Sequence, residues 1–412
     1  MTDKNRQDAK DAKRKLPDDW RWVRLKELCH LITDGTHKTP YYVERGVRFI
    51  SIANLRPFAP IDWNAYVKFI TPEEHAELTK RCKPQRDDIL VAKIGTLGLA
   101  KRVDFDEEVS IFVGLALLKL KRDLVAPEFI EAFLNSPDAK QRAVTGAQGG
   151  GRQTLPLQNL EQFKIPLPPL SEQQRIAAIL NEQMAAVERA RAAAEPRLEA
   201  AKALPAAYLR AVFNSPEAQK WSKKRLGDIL RLRKEVVHPR DNPTGRATFV
   251  GLEHLESVTG RRIGAVEVDM ATLTGRKPRF YKGDIVYGYL RPYLNKVWVA
   301  ELDGLCSVDQ YVYSVDQTKA RTEFVGWFMR SPVYLTRAPI GFSPGQLPRI
   351  RTEEVSSVEI NLPSLEEQEQ IGAMVNARLA RVDRGRKTLE EELAAINALP
   401  AALLRRAFSG EL

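Results

Sequence analysis

At 412 residues, with a net charge of +11 and a mean hydropathy of −0.34, the chain has room for two or three domains that each bury a core. No apolar run is long enough to span a bilayer and the first residues form no apolar signal region, which predicts a soluble, non-exported protein. Cys29, Cys82 and Cys306 lie far apart without a Cys-x-x-Cys pair, which fits reduced thiols in cytoplasm and argues against a disulfide framework or a zinc site. The basic balance, with a pI near 9.4, points to a polyanionic partner, nucleic acid foremost.

Residues 1 to 15 carry Lys4, Arg6, Lys10, Lys13, Arg14 and Lys15 without apolar periodicity and read as a disordered basic tail. Structure is expected from Leu16, with Trp20, Arg24-Leu25 and Leu28 as its first anchors. Short strand-like runs follow at Val47 to Ile52 and at Asp88-Ile89-Leu90. Thr71-Pro72-Glu73-Glu74 caps a short helix to about Lys80, with proline at the first position and acids on the dipole. Pro127 to Asn135 reads as another helix, halted at Ser136-Pro137. The run Gly149-Gly150-Gly151-Arg152-Gln153-Thr154 suits either backbone contact with a phosphate or a hinge.

A long helical pattern then begins at Leu167-Pro168-Pro169-Leu170-Ser171-Glu172-Gln173-Gln174. Prolines 168 and 169 cannot continue a helix backwards, and Ser171 with Gln174 is expected to form a capping box. Ile176, Leu180, Met184, Val187, Ala194, Leu198 and Ala201 draw a narrow stripe in steps of three, four and seven, the pattern of a coiled-coil seam. Pro196 interrupts it, and a kink is expected near Ala194.

All of this recurs. A shift of 195 positions brings Leu362-Pro363-Ser364-Leu365-Glu366-Glu367-Gln368 beneath the first copy, and the match runs without a gap to Phe213 and Phe408. The second seam is Ile371, Val375, Leu379, Val382, Leu389, Leu393 and Ile396. Trp221, Arg225-Leu226 and Ile229 repeat the first anchors, Ala247 to Leu252 and Asp284-Ile285-Val286 repeat the strands, and Glu323 to Arg330 repeats the helix before Ser331-Pro332. The expected fold is therefore α/β (α+β): two globular α/β domains joined by two long antiparallel coiled-coil helices, an internal tandem repeat with a pseudo-two-fold axis. Expected boundaries are 16–165 and 217–361 for the globular domains, and 166–216 and 362–412 for the helices. The helices are alike while the globular parts differ in most residues.

In this respect the chain resembles the specificity (S) subunits of type I DNA restriction–modification systems. The resemblance rests on the two Leu-Pro-x-Leu-x-Glu-Gln starts, on Leu403-Leu404-Arg405-Arg406-Ala407-Phe408-Ser409-Gly410-Glu411-Leu412, on Asp34-Gly35-Thr36-His37-Lys38-Thr39-Pro40 and on Leu290-Arg291-Pro292-Tyr293-Leu294-Asn295-Lys296. It implies two target-recognition domains, each reading half of a bipartite DNA site, and paired spacer helices that dock two modification subunits. It places S-adenosylmethionine, ATP and Mg on the modification and restriction subunits and none in this chain, which itself does no chemistry.

The residues agree with a non-enzyme. No Asn/Asp-Pro-Pro-aromatic loop is present to hold a flipped base, and no Gly-x-x-x-x-Gly-Lys-Ser/Thr loop to hold ATP. Asp87 and Asp88 with Lys93 lack nuclease spacing, and the five histidines have no ligand spacing. DNA contact has positive support: ten Lys/Arg against six Asp/Glu between Arg240 and Ala300, interleaved with aromatics. Candidate contacts there are Arg261, Arg262, Arg276, Lys277, Arg279 and Lys282, with Arg291, Tyr293, Asn295 and Lys296 in one loop; Arg suits guanine and Asn adenine. In the first domain they are His37, Lys38, Lys93, Lys101, Arg102 and Arg152. Arg189, Arg191, Arg384 and Arg386 are candidate docking positions on the helices, although outward snorkelling past Ala190 and Gly385 also accounts for Arg191 and Arg386. The competing function is a coiled-coil adaptor that joins proteins without reading DNA.

Overall fold

The structure is a computed structural model that describes residues 16–151, 153–340 and 347–412; the basic tail lies outside the described residues. The chain forms two compact units, Met1–Ala194 with Glu392–Leu412, and Glu195–Glu391. Each is mixed α/β, and each is built on the same plan.

In the first unit, strand Arg21–Arg24 pairs antiparallel with Lys164–Leu167, so the two ends of the globular part are stitched together. A four-stranded antiparallel sheet runs in the order Cys29–Asp34, Leu115–Leu120, Ile89–Ala92, Ala100–Arg102. A smaller sheet pairs Val47–Ile50 parallel with Val109–Ile111 and antiparallel with Phe69–Ile70. Strand Ile89–Ala92 is apolar throughout because both its faces are covered. Ile89 and Val91 enter the core that holds Phe129 and Phe133, while Leu90 and Ala92 enter a second core with Ile50, Ile111 and Leu117.

The second unit repeats each step. Ser222–Arg225 pairs with Glu359–Leu362, and the four-stranded order is Leu230–Leu232, Gln310–Val315, Ile285–Gly288, Val297–Val299. Arg246–Val250 runs parallel to Gly304–Cys306 as Val47–Ile50 does to Val109–Ile111. Ser-Pro proves to start helices as well as end them. Ser136 accepts from the Ala139 N–H at 3.2 Å and caps Pro137–Thr145, and Ser331 accepts from the Tyr334 N–H at 3.2 Å and caps Pro332–Arg337.

The long helices span Leu170–Phe213, 44 residues, and Leu365–Ala407, 43 residues; the first continues through Pro196 and Pro205. Their starts differ from the expected capping box. Ser171 lies inside the first turn, because the chain is already turning at Pro169, whose carbonyl accepts from the Glu172 and Gln173 N–H groups. The box exists in the second copy two residues earlier: Ser364 Oγ accepts from the Glu367 N–H at 3.3 Å, and Glu367 accepts from the Ser364 N–H at 3.0 Å. Proline at 169, where copy two has Ser364, has neither hydroxyl nor N–H to form one.

What the two starts share is the glutamine. Gln173, buried, accepts from the Ala126 N–H at 2.9 Å and donates to Leu124 and Pro168 carbonyls at 3.2 and 2.9 Å. Gln368 accepts from the Arg321 N–H at 2.8 Å and donates to the Pro363 carbonyl at 3.0 Å. Each glutamine thereby satisfies the orphan donor at the start of the neighbouring domain helix, Pro127–Leu134 or Thr322–Arg330.

Within each unit the two long helices run antiparallel. In the first, Ile176, Leu180 and Met184 share a core with Leu404, Ala407 and Phe408, while Arg191 Nε donates to Asn397 Oδ1 at 2.9 Å. In the second, Leu209 and Phe213 share a core with Val375, and Arg378 lies 4.8 Å from the Tyr208 ring. Arg191 and Arg386 do not snorkel free: Arg191 also pairs with Glu188, and Arg386 with Asp383 and Glu390. These carboxylates and Asn397 occupy the guanidinium groups, so neither is an open docking group. Arg189 and Arg384 are exposed.

Candidate nucleic-acid interface

Corresponding hairpin loops join an inner strand to the edge strand beside it in each four-stranded sheet. Residues 93–99 connect Ile89–Ala92 to Ala100–Arg102, and residues 289–296 connect Ile285–Gly288 to Val297–Val299. Both are tied down alike. The Leu155 N–H donates to the Lys93 carbonyl at 2.8 Å and the Ile350 N–H to the Tyr289 carbonyl at 3.2 Å, next to bridges Ile94–Thr154 and Leu290–Arg349. Both loops also turn through two left-handed residues: Gly95 (φ 72°) and Gly98 (φ 76°) in the first, Arg291 (φ 52°) and Asn295 (φ 47°) in the second.

That substitution is informative. A non-glycine residue in this region costs about 1 kcal/mol, least for Asn. Asn295 is buried and donates from Nδ2 to the Arg330 carbonyl at 2.8 Å, so its side chain locks the turn and is not available to adenine. Arg291 is exposed, and among the described residues its side chain has no hydrogen-bond or ion-pair partner. The backbone is held by the fold, its N–H donating to the Pro348 carbonyl at 2.8 Å, but the side chain adds no contact there, which points to a role for it outside the fold.

Beside this loop Tyr289 and Tyr311 stack with centroids 4.4 Å apart. Burial raises the Tyr289 hydroxyl above its ordinary pKa, Asp309 adds to this, and the positive charges of Arg349 and Arg276 oppose it. Both arginines are exposed, as is Tyr293. Arg349 was not among the residues singled out from sequence, yet it stands opposite Thr154 in the repeat, which is the signal that finds it. Five other basic residues of this stretch are engaged within the unit. Arg261 pairs with Glu256 and Asp383 at 3.1 and 3.4 Å, Arg262 with Glu301 at 2.6 Å and Arg279 with Glu235 at 3.1 Å. Lys296 Nζ donates to the Leu252 carbonyl at 2.6 Å, and Lys277 Nζ lies 5.0 Å from the Phe249 ring. Arg276, Lys282, Arg291 and Tyr293 are left facing solvent.

In the first unit the Asp34-Gly35-Thr36-His37-Lys38 loop takes the neighbouring position. Gly35 permits a close approach: a Cβ there would lie 2.1 Å from the Ile111 carbonyl oxygen. The Thr36 N–H donates to that oxygen at 3.1 Å and so aims His37 and Lys38 outward. Asp34 sits at the root, its side chain 4% exposed, and gathers two cations and an imidazole: Lys93 Nζ at 2.5 Å, Arg81 Nη2, and His37 Nε2 at 3.3 Å. Burial raises the Asp34 carboxyl, but hydrogen bonds and charge from Lys93 and His37 outweigh it and hold the group below its ordinary pKa.

Lys93 therefore does not face DNA; it is buried under Asp34. Lys101 is buried too, with Nζ 2.6 Å from Asp104, and Arg102 is held by Asp87 at 2.8 Å and Glu128 at 3.4 Å. Arg152 lies outside the described residues. The glycine run is no hinge into the helix, because Gln148 and Thr154 exchange N–H···O bonds of 2.9 Å that close it into a loop. A Cβ at Gly150 or Gly151 would meet nothing within 4 Å, so their backbone is open.

Burial pushes the thiols of Cys29, Cys82 and Cys306 up to about 12, which leaves them poor nucleophiles. Among the described residues no cluster of His, Cys, Asp or Glu has metal-site geometry, and no helix is long and apolar enough to cross a membrane.

Residues 17–193 match the family model described as type I restriction modification DNA specificity domain. The chain is 32% identical over 192 residues to the EcoDI specificity subunit of Escherichia coli, a match covering 47% of this chain and 42% of that protein. It thus spans under half the length of that relative. Over 97% of this chain and 90% of the relative it is 23% identical to the Escherichia coli EcoKI specificity subunit. Among solved structures, a chain from a study of complex assembly and conformational transition of the type I R-M system aligns over 97% of this chain and 100% of its own, with TM-score 0.73 and 20% identity. The HsdS subunit from Thermoanaerobacter tengcongensis aligns over 97% and 99%, with TM-score 0.58 and 19% identity. These likenesses favour DNA specificity over a protein adaptor.

Proposed function

We propose that the chain, whose residues 17–193 match the type I restriction modification DNA specificity domain, is a specificity subunit that reads a bipartite, asymmetric DNA site with one half-site per domain. One observation carries the asymmetry. Equivalent hairpins, tied to equivalent backbone partners, present glycine at 95 and arginine at 291. A shared scaffold with different exposed chemistry reads different base pairs. Arg291 is the reader of guanine in the second domain, and Arg276 and Arg349 meet phosphate beside it.

Replacing Arg291 by glycine tests this in two directions at once. The left-handed turn should relax, so the second domain gains up to about 1 kcal/mol in denaturant unfolding. In the complex with modification subunits, discrimination at one base pair of one half-site should fall by roughly 10- to 100-fold. An even loss across all sequences, with a shallower salt dependence, would mean that Arg291 touches phosphate instead.

The chain contributes binding and not catalysis in this reading. Adenine methylation, with its S-adenosylmethionine, belongs to two modification subunits docked on the helices, and ATP and Mg to restriction subunits where these are present. Arg189 and Arg384, exposed at equivalent helix positions, are the docking candidates. Arg189→Glu with Arg384→Glu should weaken co-purification with the modification subunit and leave unfolding of the chain within about 0.5 kcal/mol, as for surface changes generally. Undiminished co-purification would place docking elsewhere.

A further inference from the structure

We propose that Arg81 is the specificity-determining residue of the first domain, reading a guanine through a guanidinium oriented by the buried Asp34 carboxylate. The inference rests on the reading of this domain as a DNA reader, and it picks one residue out of the basic run Lys80 to Arg86.

Arg81 follows the helix Pro72–Thr79, whose start is fixed by proline at its first turn and by Thr71 accepting from the Glu74 N–H at 3.2 Å. The next residue, Cys82, is buried, and its N–H donates to the Leu78 carbonyl at 3.2 Å, so the backbone carrying Arg81 is pinned. The side chain is 58% exposed, yet its Nη2 reaches back to Asp34 Oδ1. Among the described residues its other guanidinium nitrogens have no partner.

Asp34 is a rigid anchor. Lys93, 7% exposed, fills its other oxygen, and the adjacent Gly35 N–H donates to the Leu115 carbonyl at 3.2 Å. An exposed arginine ordinarily loses side-chain entropy when it binds a base edge; one held at a single nitrogen has lost much of it beforehand. The remaining fork matches the paired acceptors O6 and N7 of guanine in the major groove. His37, 3.3 Å from the same carboxylate oxygen, and Lys38 stand beside it as backbone or base contacts. A phosphate contact would need only the charge and no buried buttress, which is why base reading is favoured.

The test is a methylation map of a genome exposed to the full chain assembled with its modification subunits, for wild type, Arg81→Ala and Arg81→Lys. Both variants should relax discrimination at one base pair about 10- to 100-fold, in the half-site that Arg291→Gly leaves intact. Lysine keeps the charge but not the fork, so it should not restore selectivity. Three results overturn the assignment: an unchanged map, an even decline across all sites that Arg81→Lys rescues (a phosphate contact), or relaxation in the Arg291 half-site. These leave a bipartite wild-type map standing, so the domain's function survives them. A wild-type map without bipartite sites removes the function itself and this inference with it.

Discussion

Phe408→Ala will destabilise the first unit by about 3–5 kcal/mol and leave the second unit's transition unmoved, and Phe213→Ala will do the reverse. Phe408 lies at the end of the second long helix, yet its ring packs edge-on against Phe129 and Phe133 of the first domain, centroids 5.3 and 5.2 Å away. Phe213, at the end of the first long helix, meets Phe324 and Phe328 of the second domain at 5.3 and 5.6 Å. All six rings are buried. Each domain core is therefore completed by the C-terminal end of the long helix that starts in the other unit. Truncation to alanine removes an aromatic from a packed cluster and leaves a cavity that the rigid glutamine-pinned helix start cannot collapse into. Denaturant unfolding followed by hydrogen exchange in each unit reads the result. A loss of equal size in both units for either variant would show that the cores are not separate.

The same pair explains why the fold was legible in the sequence. Repeats at fixed spacing report on contacts that recur, and Phe213 over Phe408 and Ile89-Leu90 over Ile285-Val286 are contacts buried on all sides. Apolar runs that fill two cores at once have few alternatives. Local chemistry was less legible. Ser171 and Gln174 have the spacing of a capping box, but the helix start is set two residues earlier by Pro169. The site was legible in its loops and not in its charges. Lys93 and Lys101 read as cations free to meet DNA, whereas the fold buries both against carboxylates, and Lys93 meets one 59 residues away. Arg81 sits in a stretch with no motif, and it acquires an orientation only when Asp34, 47 residues earlier, arrives beside it. Composition supplies the sign of a surface; tertiary pairing decides which cations remain on it.

Asp34 is the group on which that pairing turns, and Asp34→Asn should cost about 3–5 kcal/mol at neutral pH, because it strands the buried Lys93 ammonium without a counter-charge. The pH dependence has a definite sign. The folded-state pKa of Asp34 is depressed, so the unfolded chain binds its proton more readily. The stabilisation is fully present above the ordinary carboxylate pKa of about 4 and is lost as pH falls through the lower folded value. The asparagine variant has no proton to take up at this position. The gap between wild type and variant should therefore be wide at neutral pH and close as pH falls below about 4. Removing both charges separates the cost of an unpaired ammonium from the worth of the pair: Asp34→Leu with Lys93→Met should recover much of the stability, as apolar replacement of buried pairs often does. It should not recover selectivity in the first half-site, because Arg81 has then lost its anchor. A variant that regains both would make Asp34 a purely structural residue, and a gap as wide at pH 3 as at pH 7 would show that its carboxylate charge is not what holds Lys93 in place.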